Sequence, residues 1–397
     1  MAVKSLLAHR LRTLLTTLGV SIGVGTLLAI IGIIVGLNAA FSDDLAVMGT
    51  NTLWIQKFPW TTPEWWLYRN RKDLTLSQIE LVRSQAKFLS AIAPNVNFSA
   101  DVQYLDQSVS RVWVIGSTED YPIAAGHDIS LGRGISQGDD DNARPVAVLG
   151  MDVVDGLFHG VNPLGMSVKI GGRPFEVVGL FQRKGSLKVL GQRPDLKIEI
   201  PIHAFMGAFG RARRLSAVAS AVDTEHLPAA MDELSGLLRR ARKTPPQSED
   251  DFSLNRSEQL AEMWKKLTGA LYGVVVAVGV ITLLVGGIGI MNIMLVSVRE
   301  RTREIGVRRA LGARKRTIVM QFLMEAATVS AVGGAVGTTL GLSIAKVLAL
   351  VSPLKASVSP LAVLGGVGFA AMMGLVFGIW PAARAANLDP VEALRYE

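Results

Sequence analysis

The chain has 397 residues, of which 49% are hydrophobic and 19% are charged, and its mean hydropathy is positive. This composition is unlike that of an ordinary soluble enzyme, and the absence of cysteine excludes disulfide scaffolds, thiolate metal sites and thiol nucleophiles. The net charge of +8 is unevenly placed, because residues 299–316 carry eight basic and two acidic side chains while residues 41–266 are nearly balanced. A basic block beside apolar runs indicates membrane topology and not nucleic-acid binding.

Four long apolar stretches predict four transmembrane helices. Residues 13–42, 267–298 and 356–383 contain no charged side chain, and residues 317–351 contain only Glu325 and Lys346. Each stretch exceeds the roughly 20 residues that cross a hydrocarbon core about 30 Å thick. Twenty residues separate Glu325 from Lys346, so we expect these two side chains at opposite membrane interfaces.

Basic residues orient these helices through the positive-inside rule. Lys4, Arg10 and Arg12 precede the first helix, and the basic connector 299–316 joins the second helix to the third. We therefore predict cytoplasmic termini and an extracytoplasmic domain between the first two helices. A cleaved signal peptide is disfavoured, because the first apolar run is too long. The predicted segments are 1–12 (cytoplasmic), 13–42 (first span), 43–266 (extracytoplasmic), 267–298 (second span), 299–316 (connector), 317–351 (third span), 352–359 (external loop), 360–383 (fourth span) and 384–397 (cytoplasmic).

The predicted extracytoplasmic domain has signals of both helices and strands, so we expect a mixed α+β fold. A capping box at Thr75 and Gln78 predicts a helix that continues to about residue 87. Residues 231–242 also read as a helix, and an amphipathic helix at 257–267 continues into the second span. The predicted strands are 52–56, 111–116, 145–149, 167–170, 174–180 and 196–200.

Patterns that indicate catalysis or metal binding are scarce. No P-loop of the form G-x-x-x-x-G-K-[ST] occurs, so these residues predict no nucleotide site of that type. The five histidines are too widely spaced to predict a metal site, and the acidic run at 139–141 lacks the spacing of a calcium loop. Ser186 has no base pattern beside it, and no nucleophile is predicted.

Glycines four residues apart recur in the apolar stretches, at 19 and 23, 32 and 36, 337 and 341, and 374 and 378. Small residues at this spacing let helix backbones approach closely in a membrane. Ionisable side chains are missing from the middle of all four stretches, which is unlike an ion-driven transporter. Transport by this chain would therefore need an outside energy source and further helices.

The connector 299–316 is the most informative segment. It reads Arg-Glu-Arg-Thr-Arg-Glu-Ile-Gly-Val-Arg-Arg-Ala-Leu-Gly-Ala-Arg-Lys-Arg. A run that only sets topology needs basic residues alone, whereas this segment interleaves acidic residues with an apolar stripe and has Gly312 near its end. It predicts a short helix that docks into a groove of a cytoplasmic partner.

Several longer motifs carry a family resemblance. Beside the connector they are Asn292-Ile-Met-Leu-Val-Ser-Val, Gln321-Phe-Leu-Met-Glu-Ala, Gly378-Ile-Trp-Pro-Ala-Ala-Arg, Leu388-Asp-Pro-Val-Glu-Ala-Leu-Arg, Met48-Gly-Thr-Asn-Thr-Leu, Asn162-Pro-Leu-Gly and Gly172-Arg-Pro-Phe-Glu-Val-Val-Gly. With these motifs the sequence resembles the MacB/FtsX-type permeases of ATP-binding-cassette (ABC) systems.

The resemblance implies four transmembrane helices and an α+β extracytoplasmic domain, with a porter-like α/β part and an inserted β-rich part. It also implies that residues 257–266 form a stalk helix, that residues 267–390 form the FtsX-like permease region, and that the protein lies in the bacterial inner membrane. Force-transmitting contacts to an ATPase, rather than catalysis, are implied for Glu300, Arg303, Glu304, Arg308, Leu311, Gly312 and Ala313.

The same resemblance implies several partners and no cofactor in this chain. A separate ABC ATPase subunit is expected to bind ATP and Mg²⁺, because the sequence starts only about a dozen residues before the first span. A second permease copy or a paralogue, membrane lipid, a periplasmic adaptor and an outer-membrane channel are the other expected partners.

Two functions stay open at this point. One is ATP-driven export or extraction of a substrate, and the other is an FtsX-like signalling device that activates an extracytoplasmic hydrolase without transport. A membrane-anchored enzyme has little support, since the sequence offers no catalytic constellation.

Overall fold

The computed structural model describes residues 10–62, 64–185, 189, 191, 193–210, 214–351 and 360–395. Lys4 and the rest of residues 1–9, Ser186, the predicted external loop 352–359 and residues 396–397 lie outside the described residues. The chain divides into two compact units, which we call the membrane unit (Met1–Ala40 and Lys266–Glu397) and the core domain (Phe41–Lys265).

The chain leaves the membrane unit along helix α1 (Arg10–Met48) and then forms the core domain. The core-domain elements in chain order are β1 (Thr52–Gln56), a 3₁₀ turn (Trp65–Tyr68), α2 (Leu76–Gln85), β2 (Leu89–Tyr104), β3 (Gln107–Ser117), α3 (Tyr121–Ala124), β4 (Ile129–Gly132), α4 (Gln137–Asp141), β5 (Val146–Leu149), α5 (Met151–Phe158), β6 (Ser167–Ile170), β7 (Arg173–Phe181), β8 (Lys197–Pro201), α6 (Ile202–Phe209), β9 (Ser216–Ala221), α7 (Leu227–Arg242) and β10 (Ser253–Arg256).

The remaining described residues of the membrane unit form helices and their short connections. The helices are α8 (Ser257–Glu300), α9 (Thr302–Ala310), α10 (Lys315–Val351), α11 (Pro360–Ala386) and α12 (Pro390–Arg395). Within the described residues, four helical segments are long and apolar enough to cross a membrane, at Thr17–Met48, Ser257–Glu300, Lys315–Val347 and Val363–Ala386. The predicted class of four transmembrane helices and an α+β domain is confirmed.

Ten strands of the core domain form one sheet in the order β10-β1-β9-β2-β3-β8-β5-β7-β4, with β6 paired to both β2 and β7. The pairs β3–β8 and β5–β7 are parallel and the other pairs are antiparallel. Strand β2 joins the two parts of the sheet, because Ala93 lies opposite Val218 of β9 while Phe98 lies opposite Val114 of β3.

Both faces of this sheet are covered by apolar side chains. Successive residues of β5 alternate between the two faces, since Ala147 and Leu149 belong to the main cluster and Val148 to a second one. The main cluster includes Val82 of α2 and Leu234 of α7, and it forms the larger core. The second cluster is covered by the short helix α3 and by the loop that connects α3 to β4. A strand buried on both faces loses the polar alternation that sequence patterns use.

The predicted core-domain elements are found within a few residues of their expected bounds; the largest differences are at the starts of β3 and α7, which each lie four residues earlier than predicted. At the predicted capping box the N–H of Thr75 donates to the Gln78 amide oxygen at 3.2 Å, although α2 ends at Gln85 and not near residue 87. The largest omission was β2, which contains Pro94 and changes its partners along its length. Proline and changing burial hide such a strand from a period-two search.

Glycine packing holds α1 against α10 within the membrane unit. A Cβ atom added at Gly341 would lie 2.6 Å from the carbonyl oxygen of Gly25, and one added at Gly25 would lie 2.9 Å from that of Gly337. Ser21 joins the same crossing, since its Oγ donates a buried hydrogen bond to the Gly333 carbonyl at 2.8 Å. The predicted close backbone approach is therefore present here.

The other predicted glycine pairs differ in their surroundings. Gly374 and Gly378 on α11 face Ala326 on α10, and Gly23 faces Thr282 on α8. Among the described residues outside its own helix, no atom lies within 4 Å of the Cβ position of Gly19, although the backbone of Gly19 lies 3.9 Å from the Cβ position of Gly286 on α8.

Replacement of Gly337 by leucine tests the α1–α10 crossing. We expect Gly337→Leu to lower the thermal unfolding midpoint of the detergent-purified protein strongly, because the added side chain would meet the backbone of Ser21. The matched control is Gly368→Leu, since Gly368 on α11 has open space around its Cβ position. Similar midpoints for the two variants would contradict this description of the crossing.

Candidate functional site

The connector 299–316, called the coupling segment below, folds into helix α9 with a short break before it. Helix α8 ends at Glu300, and Arg301 has non-helical backbone angles before α9 begins at Thr302. The Thr302 hydroxyl donates to the carbonyls of Val298 and Arg299, at 3.1 and 2.8 Å, and so bridges the break. The predicted short helix is present.

Gly312 ends this helix in the manner expected from the sequence. Its φ of +91° is a conformation that favours glycine, and its N–H donates to the Arg309 carbonyl. The N–H of Ala313 donates to the Arg308 carbonyl, which completes a Schellman motif. Both residues therefore have a clear structural role at the end of α9.

One face of α9 is buried against neighbouring helices of the membrane unit. Ile305 is 4% exposed and packs in a cluster with Ile318 and Phe322 of α10. Gly306 faces α12, where a Cβ atom added to the glycine would lie 2.7 Å from the Cβ of Ala393. Lys315 also ties the start of α10 to the end of α11 through a 2.9 Å hydrogen bond to Asn387.

Two arginines link the coupling segment to α10. Arg301 forms an ion pair with Glu325 at 3.3 Å, and Arg308 donates to the Gln321 amide oxygen at 2.7 Å. Gln321 and Glu325 are one helical turn apart and lie on the same face of α10. Arg308 also pairs with Glu304 along α9. The coupling segment is thus held at two points seven residues apart.

The opposite face of the segment is exposed. Glu300, Arg303 and Glu304 have exposed side chains, Val307 is 42% exposed and Leu311 is 84% exposed. Of the residues predicted from the sequence, Glu300, Arg303, Glu304 and Leu311 are exposed, whereas Arg308, Gly312 and Ala313 shape the helix and its attachment. An exposed leucine on a helix that is fixed on its other side can serve as a docking contact.

Arg301, Gln321 and α12 were not predicted as parts of this site, and Glu325 was expected at a membrane interface. In the structure Glu325 is 8% exposed and is paired with Arg301, 24 residues away in the chain. The motif at 321–325 contained the signal, because a glutamine and a glutamate four residues apart share one helix face.

The core domain contains a second unusual group, on strand β8. Lys197 and Glu199 point to the same face of the sheet and are 4% and 0% exposed. The Lys197 Nζ lies 4.3 Å from the ring centre of Phe181, and it has no hydrogen-bond partner within the described residues. Neither carboxylate oxygen of Glu199 has one there either.

Burial determines the protonation of this pair. It lowers the pKa of Lys197 well below its usual value and raises the pKa of Glu199 to about 8, while the attraction between the two groups opposes both shifts. Burial also raises the pKa of the neighbouring Tyr121 and lowers that of His127, so neither of these two side chains is charged near neutral pH. The 196–200 alternation predicted a strand but gave no sign that its polar side chains are buried.

Groups of histidine, aspartate and glutamate that could hold a metal ion are absent from the described part of the chain. Asp139, in the acidic run at 139–141, instead accepts hydrogen bonds from Arg133 and Ser136. These bonds hold its pKa low, at about 2, against the opposing effect of burial. The run therefore serves a structural purpose at the start of α4.

Two protein families match this chain over most of its length. Residues 13–237 match the MacB-like periplasmic core domain, and residues 276–390 match the FtsX-like permease C-terminal region.

Individual relatives match this chain over almost its whole length. The "Macrolide export ATP-binding/permease protein MacB" of Azoarcus sp. (strain BH72) is 37% identical over 100% of this chain and 59% of its own length. The protein of the same name from Bdellovibrio bacteriovorus is 31% identical over 99% of this chain and 61% of its own length. The chain thus spans about three fifths of these relatives. A crystal structure of the periplasmic region of MacB from Actinobacillus actinomycetemcomitans aligns with a TM-score of 0.45 at 22% identity, over 55% of this chain and 94% of that one.

The Arg301–Glu325 pair gives a prediction for the coupling segment. Because Glu325 is largely buried, we expect a double-mutant cycle of Arg301→Gln and Glu325→Gln to give a coupling energy of about 1 kcal/mol or more in thermal unfolding. The control cycle uses Arg83 and Glu119, a more exposed pair in the core domain with an expected coupling of about 0.5 kcal/mol or less. Equal coupling energies for the two pairs would contradict the view that the Arg301–Glu325 pair stabilises the attachment of the coupling segment to α10.

The buried pair predicts opposite pH dependences for two variants. Near neutral pH the pair holds one proton in the folded state, as it does in the unfolded state, so it adds little slope to the stability of the wild type. Glu199→Gln leaves Lys197 alone with a depressed folded pKa, and its stability is expected to rise with pH. Lys197→Met leaves Glu199 with a raised folded pKa, and stability present at low pH is lost as the pH rises toward that pKa.

The slopes are measured by guanidinium unfolding of the full chain in detergent, followed by tryptophan fluorescence. Between about pH 6 and 7.5 the free energy of unfolding is expected to change by up to about 1.4 kcal/mol per pH unit in each variant. It should rise with pH in Glu199→Gln and fall in Lys197→Met. The double variant Lys197→Met/Glu199→Gln is the control and is expected to be as flat as the wild type. Parallel profiles for the two single variants would refute the assignment.

Proposed function

Because the chain belongs to the family of permeases that combine a MacB-like periplasmic core domain with an FtsX-like C-terminal region, we propose that it is the membrane component of an ATP-driven export machine. In this proposal an ABC ATPase docks on the coupling segment, and its movement is carried along α1 and α8 to the core domain. The chain itself acts as a permease and force transmitter and not as an enzyme.

The observation that carries this proposal is the construction of the coupling segment. Its inner side is fixed to α10 through Arg301 and Arg308, and its outer side presents Leu311 at 84% exposure. A docking helix that transmits force needs both features, because a loosely held helix would move without displacing the spans. Glu300, Arg303 and Glu304 are exposed on the same segment and carry charges of both signs, which favours a defined orientation of the partner.

ATP and Mg²⁺ are assigned in this proposal to an ABC ATPase whose sequence lies outside these 397 residues. Two observations support this: the residues contain no P-loop motif, and the relatives carry the name "ATP-binding/permease protein" although this chain spans only about three fifths of their length. The coupling residues then need no cofactor of their own.

The remaining features of the machine follow from topology. The basic coupling segment favours its cytoplasmic placement, with both termini on the same side and the core domain on the periplasmic side of the inner membrane. Four spans enclose too little space for a pathway, so the working form pairs two permeases, either two copies or a copy and a paralogue. A periplasmic adaptor and an outer-membrane channel would complete export across a second membrane.

The substrate to test first is a macrolide, since the relatives are named macrolide exporters. The alternative is a signalling device that activates an extracytoplasmic hydrolase without transport. The MacB-like core domain at 13–237 favours export over that alternative.

Leu311→Gln tests the docking contact. We expect this variant to lose co-purification with the ABC ATPase and at least about 1 kcal/mol of binding free energy, because a leucine that is buried only on docking is removed. Erythromycin resistance of a sensitised host that expresses both proteins should fall with it. Leu105→Gln is the matched control, since Leu105 is 83% exposed in the core domain. Normal ATPase binding by Leu311→Gln would exclude the docking assignment.

A further inference from the structure

The last turns of α1 lie inside the core domain and are hydrogen-bonded to the connection between β7 and β8. Asp44 is 2% exposed and accepts a hydrogen bond from the N–H of Val189 at 2.8 Å. The carbonyl of Val47 accepts one from the Lys184 ammonium at 3.0 Å. A cation at this place is favourable, because the last carbonyls of a helix carry partial negative charge and have no partner within the helix.

The β7–β8 connection is itself fixed to the sheet below it. The carboxylate of Asp195 is buried and accepts hydrogen bonds from the N–H groups of Lys184 and Gly185, at 3.0 and 2.7 Å. The carbonyl of Asp195 accepts the N–H of Asp152 at the start of α5. These hydrogen bonds hold Lys184, Gly185 and Asp195 of the connection against one another and against the start of α5.

Two arginines attach the same connection to α5. Arg183 pairs with Asp152 and Asp155, and Arg193 pairs with Asp152 at 2.8 Å. Strand β8 begins only two residues after Asp195 and lies between β3 and β5 in the sheet. Displacement of the connection would therefore be passed to a central strand and to a helix of the main apolar cluster.

The end of α1 is also joined to the start of α8. The Ser257 hydroxyl donates to the Gly49 carbonyl at 3.1 Å, and the rings of Phe41 and Trp264 stack with their centres 4.4 Å apart. These contacts join the two helices to each other. Lys184 differs from them because its half-buried side chain joins the end of α1 to the sheet.

We propose that Lys184 is a positioning residue that fixes the end of α1 to the β7–β8 connection, so that the core sheet follows α1 when this helix is displaced. This inference rests on the proposed function for the source of the displacement, whereas the attachment itself is a property of this chain alone. Without the ammonium group, α1 would keep the Asp44–Val189 hydrogen bond and the short path from Gly49 to β1, but it would lose the side-chain bond to Lys184.

The attachment is tested in the full chain without any partner. The chain has no cysteine, so Ser42→Cys on α1 and Ser167→Cys on β6, both exposed serines, accept one spin label each. We expect pulsed electron–electron double resonance to give a single narrow distribution of the distance between the two labels. Lys184→Met is expected to widen this distribution at least about twofold. Lys184→Arg, which keeps a donor cation, should restore the narrow distribution. Lys87→Met is the control, since Lys87 is exposed and makes no ion pair within the described residues.

The consequence for coupling is tested in the complex with its ABC ATPase. We expect Lys184→Met to keep ATP hydrolysis within about twofold of the wild type and its thermal midpoint unchanged, but to lower erythromycin resistance of the host at least about tenfold. A purely structural role would lower the thermal midpoint and ATP hydrolysis together.

The outcomes separate the attachment from the proposed function. An unchanged distance distribution in Lys184→Met, or full resistance in that variant, would overturn the attachment. A wild-type complex that confers no resistance to any macrolide counts against the proposed substrate, and the distance measurement then decides on Lys184 by itself.

Discussion

Close backbone contact between helices is the constraint on which the membrane unit depends. At the crossing of α1 and α10 the space between the helices is too small for side chains at Gly25, Gly337 and Gly341. Lipid tails are as apolar as leucine, so large apolar residues would gain little by packing there. Small residues instead allow many van der Waals contacts and the buried hydrogen bond of Ser21, and α10 then supports the coupling segment.

The coupling segment combines two requirements that lie on opposite sides of one helix. Arg301, Ile305 and Arg308 attach α9 to α10, while Val307 and Leu311 stay exposed. Helix α12 lies close enough at Ala393 that only glycine fits at position 306. A partner that pushes on the exposed side therefore acts on the spanning helices through short, well-packed contacts.

Buried charges have different roles in the two units. Glu325 in the membrane unit is paired with Arg301, and both belong to the attachment of the coupling segment. Lys197 and Glu199 in the core domain are more deeply buried and have no hydrogen-bond partners within the described residues. Burial of such groups without hydrogen-bond partners lowers the stability of the folded state.

The sequence by itself determined the four spans, the α+β class, the short coupling helix and its end at Gly312, because apolar length, helix caps and glycine signals act over a few neighbouring residues. The tertiary structure alone decided that Glu325 meets Arg301, that Ala393 lies against Gly306, and that β2 joins both parts of the sheet. It also decided that Lys197 and Glu199 are buried on a strand that looks amphipathic. These features depend on which distant segments meet, and local periodicity carries no record of that.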